Sequence, residues 1–379
     1  MHIGIDVRVL GNPIKSGIEE YAEQLLSRLL PLDSSIRYKL FFSSYRHELP
    51  DYDWLRLPNV EVKKFKYPNH LLAYSTRIFS WPKIDRLLDG VDVFFSPHFL
   101  ISSLSPTAKR VTAFHDLSYL RFPGFFSWRQ KIWHNFEMRP VWQARMSDKI
   151  IAVSESTKND LVEKYAIDPA NIKVIYSGAS LSMRLLNPEE LADFRKSKDL
   201  PERFILFMGK LEPRKNIVGL IRAFNLLKND NQFDDLALVV AGDAGWLYGD
   251  IFKEAVDSLH KNQIRFAGHI SNEERAGYYN LASVFVYPSF FEGFGLPALE
   301  AMACGAPVIA SNNSSLPEVV GDAGILVNPH NVSEIAAAMR HVLTDIKLRK
   351  TIVEKGLARA SKFTWQKCAE ETLEVLTSV

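Results

Sequence analysis

The chain is poor in cysteine: only Cys304 and Cys368 occur in 379 residues. Two thiols so far apart, each within an apolar or helical pattern, exclude a disulfide-stapled fold and a metal centre built on cysteine. They are expected to be buried and free in a reducing compartment. No uncharged apolar run reaches the roughly 18 residues of a transmembrane helix. The opening MHIGIDVRVL also lacks a basic stretch followed by an unbroken apolar one, so no secretory signal is expected. The expectation is a cytoplasmic protein that meets a membrane, if at all, from the cytoplasmic face. Repeats and low-complexity tracts are absent, and ordinary Gly and Pro content excludes collagenous and disordered classes. Net charge is nearly absent too, with 46 Lys and Arg against 44 Asp and Glu. That balance hides a local excess, because 15 Lys and Arg stand against 7 Asp and Glu from Trp54 to Ile150.

What is present is length and a recurring alternation. Single cores stop growing near about 250–300 residues, so a chain of this length is expected to form two domains. His2 to Val9 is a mostly apolar strand closed by Gly11, Asn12 and Pro13, and Ile18 to Leu30 then carries apolar residues at helical spacing. Val91–Ser96, Arg110–His115, Lys149–Val153 and Ile172–Tyr176 read as further strands, with helices over Phe126–Ser147 and Glu155–Tyr165. From Ser180 to Glu202 the strands give way to Asn187-Pro188, charged residues and Leu200-Pro201, which reads as an interdomain connection. A second series follows, with strands at Phe204–Met208, Leu236–Ala241, Ile264–Phe266, Val284–Tyr287 and Val308–Ala310. Helices at Ile217–Leu227, Ile251–His260, Glu273–Leu281 and Leu296–Ala303 separate them. Strands apolar on both faces imply parallel sheets, hence two doubly wound α/β domains facing a cleft, with ligands at the carboxyl ends of the strands. A closing helix spans Phe363 to Leu376.

The chemistry concentrates in two loops. Pro288-Ser-Phe-Phe-Glu292-Gly293-Phe294-Gly295-Leu296-Pro297 joins a strand ending at Tyr287 to a helix beginning near Leu296. Gly293 and Gly295 let backbone approach a ligand, and Pro297 suits a first helical turn, so this helix N-terminus is fit to receive phosphate. Glu292 precedes that terminus and Glu300 lies one turn inside. A carboxylate beside phosphate is unfavourable unless it accepts hydrogen bonds from ligand hydroxyls, which points to ribose and sugar. A capping carboxylate favoured by the helix dipole would explain one of the two glutamates but not both. The second loop, Gly209-Lys210-Leu-Glu212-Pro213-Arg214-Lys215-Asn216, places three cations beyond a strand end, where they would neutralise a diphosphate.

These residues, with seven between Glu292 and Glu300, resemble the retaining family 4 glycosyltransferases of GT-B fold. The resemblance spans nearly the whole chain and includes Gly4-Ile-Asp6, Ser16-Gly17-Ile, Phe114-His115-Asp116-Leu117, Val153-Ser154-Glu155-Ser156-Thr157, Ala241-Gly242 and Phe363-Thr364-Trp365. It implies an acceptor-binding Rossmann-like domain over 1–180, a connection over 181–202, a nucleotide-sugar-binding domain over 203–362, and a helix over 363–379 that crosses back to the first domain. It also implies that Glu300 binds the ribose hydroxyls, Glu292 the hydroxyls of the transferred sugar, and Arg214 and Lys215 the diphosphate. Backbone N–H groups at Phe294, Gly295 and Leu296 would complete the phosphate site. Gly209 and Gly17 would let their loops approach the donor, and His115 would contact the transferred sugar. The base would lie along Gly268-His269-Ile270-Ser271. Many relatives carry Arg where this chain has Lys210, so Arg214 is assigned the bidentate role and Lys210 a minor one.

The implied reaction moves a hexose from a nucleotide diphosphate sugar to an acceptor hydroxyl with retention. Double displacement would need a carboxylate close beneath the sugar. Glu292 is the one these motifs supply, and the family pattern gives it to hydroxyl binding. Same-face attack follows, with the leaving phosphate taking the acceptor proton and the cations stabilising the developing charge. No metal or other cofactor is expected, and Asp51-Tyr52-Asp53 beside Pro50 reads as a solvated loop. The Leu-Glu-Pro-Arg-Lys-Asn loop resembles that of bacterial mannosyl- and related transferases, which gives GDP-mannose as the expected donor and a glycan or lipid-linked glycan of a surface polysaccharide as acceptor. Glucose, N-acetylglucosamine and rhamnose donors share these motifs. Two other readings stand beside it: a GT-B nucleotide-sugar epimerase or hydrolase, and a non-catalytic nucleotide-sugar-binding subunit of a glycan assembly complex.

The local basic excess interleaves with aromatics at Lys63-Lys64-Phe-Lys66-Tyr67 and Phe125-Phe126-Ser-Trp128-Arg129-Gln-Lys131-Ile-Trp133-His134. Either the cations and rings meet an anionic membrane surface, or the rings pack in the core and the cations solvate it. No recognition motif supports nucleic acid.

Overall fold

The computed structural model describes residues 1–12, 17–133 and 138–379. The chain divides into two compact units. The first holds Met1–Leu117, Trp128–Gly178 and Thr364–Val379, the second Ser118–Ser127 and Ala179–Phe363.

Each unit is built on one sheet. In the first, β1 (His2–Asp6), β2 (Arg37–Ser43), β3 (Val60–Phe65), β4 (Val93–Ser96), β5 (Lys109–Phe114), β6 (Lys149–Ala152) and β7 (Ile172–Val174) pair in the order β3-β2-β1-β4-β5-β6-β7. In the second, β8 (Phe204–Met208), β9 (Ala237–Ala241), β10 (Ile264–Gly268), β11 (Val284–Tyr287), β12 (Val308–Ser311) and β13 (Ile325–Val327) pair in the order β10-β9-β8-β11-β12-β13. Every pairing is parallel. Every residue of β8, β9, β11 and β12 is buried. That is why these strands read as unbroken apolar runs rather than alternating ones. In the second sheet the order reverses between β8 and β11. At such a reversal the chain leaves neighbouring strands toward opposite sides and opens a crevice beyond their carboxyl ends. The loops after these two strands are Gly209–Asn216 and Pro288–Gly295.

Several elements differ from the expected series. β2 (RYKLFFS) and β3 (VEVKKF) are strands whose charged residues break the apolar run, and only four of the seven β2 positions after its exposed start and half-buried Lys39 are continuous core. Within the helix expected over Phe126–Ser147, the described residues include the helices Trp128–Trp133 and Pro140–Met146, the second opening on a proline. Residues 134–137, His134 among them, lie outside the described residues, as does Ser16 of the Ser16-Gly17-Ile motif. The stretch expected as a connection carries the helix Pro188–Ser197, capped reciprocally by Asn187 and Glu190. Its Phe194 ring packs edge-on against Tyr278 at 5.4 Å, inside the second unit.

Two segments join units distant from them in sequence. Ser118–Ser127 belongs to the second unit because Phe122 packs on Phe291 at 5.9 Å, Phe125 on Phe290 at 5.5 Å and Phe126 on Trp246 at 5.7 Å. The Trp246 indole N–H also donates to the Phe125 carbonyl. The helix Trp365–Thr377 belongs to the first unit and packs on the helix Gly17–Leu32, with the Trp365 ring edge-on to Tyr21 at 5.7 Å. Gly178 admits this approach, since a Cβ there would lie 2.1 Å from the Trp365 nitrogen. Among the described residues no helix is long and apolar enough to cross a membrane.

Candidate functional site

The loops at the β8/β11 reversal meet through a buried cluster of charge. The Lys215 ammonium donates to Glu292 Oε1 at 2.7 Å and to the Tyr287 hydroxyl at 2.6 Å. Arg214 donates from Nη1 to Glu292 Oε2 at 3.2 Å and to the Phe291 carbonyl at 2.7 Å, and its Nη2 lies 2.6 Å from Glu212 Oε1. Backbone joins the loops as well, with Phe290 N–H donating to the Arg214 carbonyl at 2.8 Å. Glu212, Lys215 and Glu292 are all buried. Burial alone would raise the Glu292 pKa, but Lys215 and Arg214 outweigh it and hold the carboxyl at about 2. Burial lowers the Lys215 pKa from its ordinary value, and burial together with Glu292 raises that of Tyr287. Two cations and two carboxylates leave the cluster neutral. Lys210 is exposed in the same loop and forms no ion pair among the described residues.

The loop before the helix Leu296–Ala303 is braced from the β12 side. Ser314 Oγ accepts from Glu292 N–H at 3.0 Å, Ser315 Oγ donates to the carbonyls of Glu292 and Phe294, and Asn313 donates to that of Phe290. Gly295 is the N-cap residue at φ +105°, with no capping side chain, and Pro297 follows. Pro297 carries no N–H and the Ala298 N–H donates to the Gly295 carbonyl at 3.0 Å, so the anchor this turn offers an anion is the Leu296 N–H, aided by the helix dipole. A Cβ at Gly295 would meet Leu316 at 2.7 Å, so the position is closed to larger residues as well as strained.

Glu300 lies inside that helix, buried, and both of its oxygens are engaged. Oε2 accepts from the Tyr279 hydroxyl at 2.9 Å and Oε1 from Arg275 at 3.1 Å, both donors coming from the helix Asn272–Leu281. These two bonds fix the orientation of the carboxylate. Gly209 and Gly242 cross closely where β8 and β9 end. Gly209 N–H donates to the Ala241 carbonyl, Gly242 N–H to that of Gly268, and a Cβ at Gly242 would lie 2.1 Å from the Gly209 oxygen. Gly268, the last residue of β10, has φ +70°; beyond it Ile270 is buried, and His269 is exposed with Nδ1 2.8 Å from Asp243 Oδ2.

In the first unit, His115 follows β5. Its Nε2 lies 2.8 Å from the Pro97 carbonyl, which can only accept, so Nε2 carries the proton. Tyr21 packs edge-on to the imidazole at 4.7 Å, and burial lowers the His115 pKa from its ordinary value. Gly17 opens the helix Gly17–Leu32 with clear space on its Cβ side. Asp51 and Asp53 are exposed and share Arg56.

The structure thus brings Gly209, Lys210, Arg214, Lys215, Glu292, Gly293, Phe294, Gly295 and Leu296 together in the second unit, with Glu300 on the same helix and Gly268–Ile270 two strands away from β8. His115 and Gly17 belong to the other unit. Four contributors lie outside the two motif loops: Tyr279, Arg275, Ser314 and Ser315. Each acts across 21 to 25 positions of chain, and only the buried tyrosine shows as a helix-face residue.

The sequence profile of Glycosyltransferase Family 4 matches residues 15–182, and that of Glycosyl transferases group 1 matches residues 189–359. O-antigen chain mannosyltransferase B of Escherichia coli is 32% identical, over 95% of this chain and 96% of its own length. Serotype-specific mannosyltransferase WbdA of Escherichia coli is 30% identical over 96% of this chain but 46% of its own, so the chain spans about half of that relative. The crystal structure of Anabaena Alr3699/HepE in complex with UDP-glucose matches over the whole of both chains with a TM-score of 0.74 at 20% identity, a likeness of fold. Two parallel Rossmann-like sheets of this kind define the GT-B architecture of a glycosyltransferase. The chain belongs to the family 4 glycosyltransferases.

Proposed function

We propose that this glycosyltransferase moves mannose from GDP-mannose to a hydroxyl of a glycan or lipid-linked glycan during assembly of a surface polysaccharide, with retention at the anomeric carbon and without a metal. It would work at the cytoplasmic face of the membrane. The observation that carries the chemistry is the buried Lys215–Glu292–Arg214 cluster beside an uncapped helix N-terminus. The mannose assignment is supported by two relatives that are mannosyltransferases, one matched along its whole length. A nucleotide-sugar donor is supported by the UDP-glucose complex of a protein of the same fold.

In this reading the Leu296 N–H at the helix N-terminus, Lys210 and the remaining proton of Lys215 receive the diphosphate. The neutral cluster becomes anionic when the donor arrives, so Lys210 contributes more than its place in the motif implies. Glu300, oriented by Tyr279 and Arg275, accepts from the ribose. Glu292 accepts from the hydroxyls of the transferred sugar. A carboxylate held at about 2 by two cations is a weak base and a weak nucleophile. That disfavours a covalent glycosyl-enzyme and favours attack on the leaving-group side, with the phosphate oxygen taking the acceptor proton and Lys215 stabilising the charge on the departing diphosphate.

The test is calorimetry with GDP, UDP, ADP and dTDP, each with and without Mg²⁺, followed by transfer assays with the matching sugars. Metal-independent selection of GDP, and an α-linked product from GDP-α-mannose seen by NMR, is the expected result. Selection of UDP removes mannose and keeps the transferase. An inverted product removes same-face attack. Turnover of the donor to free sugar or an epimer at full rate without acceptor replaces the transferase with the hydrolase or epimerase reading.

A further inference from the structure

The helix Asn69–Phe79 is apolar on two faces. Its inner face, Leu72, Ala73 and Thr76, is buried, and Leu72 joins Phe41, Ile84, Leu88 and Phe94 in one core cluster. Its outer face is bare. Leu71, Tyr74 and Ile78 fall three or four residues apart along the helix, on one stripe, and they and Tyr67, just ahead of the helix, are exposed. Phe79, 73% exposed, and Trp81, 62% exposed, continue the stripe past the last turn.

Fraying is not the cause of this exposure. Ser80 N–H donates to the Thr76 carbonyl at 3.0 Å, Ser75 Oγ donates to the Trp81 carbonyl, and Ser103 Oγ donates to the Ser80 carbonyl at 2.7 Å. Lys83 then pairs as a bridge with Ser103. The turn that carries Phe79 and Trp81 is therefore tied to the body of the unit, with its rings facing outward. Contiguous exposed apolar surface of this kind marks an interaction site.

The charge around the stripe selects the partner. From Val62 to Ile84 the sequence holds five cations, Lys63, Lys64, Lys66, Arg77 and Lys83, and no Asp or Glu. Lys63 is occupied by Asp89, whereas Lys64 and Lys66 are exposed and form no ion pair among the described residues. A second copy of the same surface would bring these lysines against like charge, which opposes self-association. A bilayer rich in anionic phospholipid satisfies both features: the rings and aliphatic chains enter the boundary below the headgroups, and the lysines meet the phosphates.

We propose that Tyr67, Leu71, Tyr74, Ile78, Phe79 and Trp81, with Lys64 and Lys66, form the surface by which this protein docks on an anionic phospholipid membrane. The proposal deepens the membrane-face part of the proposed function, yet it requires neither a particular donor nor a particular acceptor. It also moves the contact away from Phe125 and Phe126, which the structure commits to packing on Phe290 and Trp246.

The test is co-sedimentation of the full chain with vesicles of phosphatidylcholine alone and of phosphatidylcholine with phosphatidylglycerol, at low and high salt, with gel filtration beside it. Binding to the anionic vesicles only, weakened by salt, is expected. The triple variant Ile78→Glu, Phe79→Glu, Trp81→Glu and, separately, the pair Lys64→Glu, Lys66→Glu should each lose at least about tenfold in partitioning. Transfer to a soluble acceptor should stay at the parental rate in both, which also reports that they fold. Absence of vesicle binding by the parent protein overturns the proposal, as does either variant partitioning like the parent. A dimer that the triple variant dissolves would assign the stripe to a second copy instead. The vesicle arm contains no sugar nucleotide, so its failure leaves glycosyl transfer standing, and a failed transfer assay leaves the docking result standing.

Discussion

The Lys215 ammonium sits 2.7 Å from Glu292 Oε1, with both side chains buried and each supplied by a loop leaving one of two adjacent strands. The pair therefore serves two ends, joining the Gly209–Asn216 and Pro288–Gly295 loops and presetting the charge that a donor meets.

Removing the cation should be far worse than neutralising the anion. Lys215→Met leaves Glu292 buried with Arg214 as the cation that remains on it, and breaking a buried pair from one side typically costs about 3–5 kcal/mol. Urea unfolding followed by a probe in the second unit should show a loss of that order, and transfer should fall below detection. Glu292→Gln keeps the shape and one acceptor oxygen, so its loss of stability should be smaller while transfer still drops by about two orders of magnitude. Equal destabilisation by the two variants would contradict this ordering.

The same pair makes stability depend on acid. The folded pKa of Glu292 is depressed from 4.5 to about 2, so its contribution is fully present above the unfolded value and is lost as pH falls through the folded one. A shift of that size corresponds to a contribution on the order of 3 kcal/mol. Unfolding midpoints measured between pH 5 and pH 2.5 should fall less steeply in Glu292→Gln than in the parent protein.

Tyr279→Phe tests the orientation of Glu300. The variant removes one hydroxyl and leaves a buried carboxylate oxygen without its donor, a change worth roughly 1–3 kcal/mol. Calorimetry should show nucleotide affinity reduced about tenfold. Unchanged affinity would mean that Glu300 does not touch the nucleotide.

Gly242→Ala tests the crossing of the β8 and β9 loops. The φ of +133° and the approach of the Gly209 oxygen leave no room for a methyl group. Strain of this kind costs of order 1–3 kcal/mol, and relieving it must shift Gly209 and the Lys210 that follows. A lower melting temperature together with weaker nucleotide binding is expected, the second effect distinguishing a displaced loop from a merely loosened core.

Burial depresses the pKa of His115 from its ordinary value. Protonation would cost folding free energy, so any contribution it makes is present at pH 7 and declines only as acid is added. A transfer rate flat from pH 8 down through 6.5 is the expected profile, and a sharp inflection at 6.5 would show an ordinary, solvated imidazole.

Much of the second unit is legible in sequence because its strands are buried on both faces and its two functional loops are punctuated by Gly and Pro. Phe204–Met208 and Val284–Tyr287 coincide with β8 and β11 to the residue, and the loops after them bear the site. β2 and β3 escape because Lys39, Lys63 and Lys64 interrupt their apolar character. Pro188–Ser197 escapes because its polar sequence buries little, although Asn187-Pro188 and Glu190 form a capping signal in plain view. The site is legible in its loops and opaque in its braces. Arg275 and Tyr279 reach Glu300 from 25 and 21 positions away, Ser314 reaches Glu292 from 22, and contacts at such separations leave no period or motif.

The helix Trp365–Thr377 gives the chain an order of assembly. The second unit takes its sheet wholly from one continuous stretch, Ala179–Phe363, and adds Ser118–Ser127, which is synthesised earlier. The first unit, begun at Met1, must wait for Trp365 to reach the Tyr21 side of the helix Gly17–Leu32. On the ribosome the part of the protein made second is thus able to finish first. The apolar face of Gly17–Leu32 stays uncovered through most of translation, and is the surface that a chaperone would find exposed on a nascent chain.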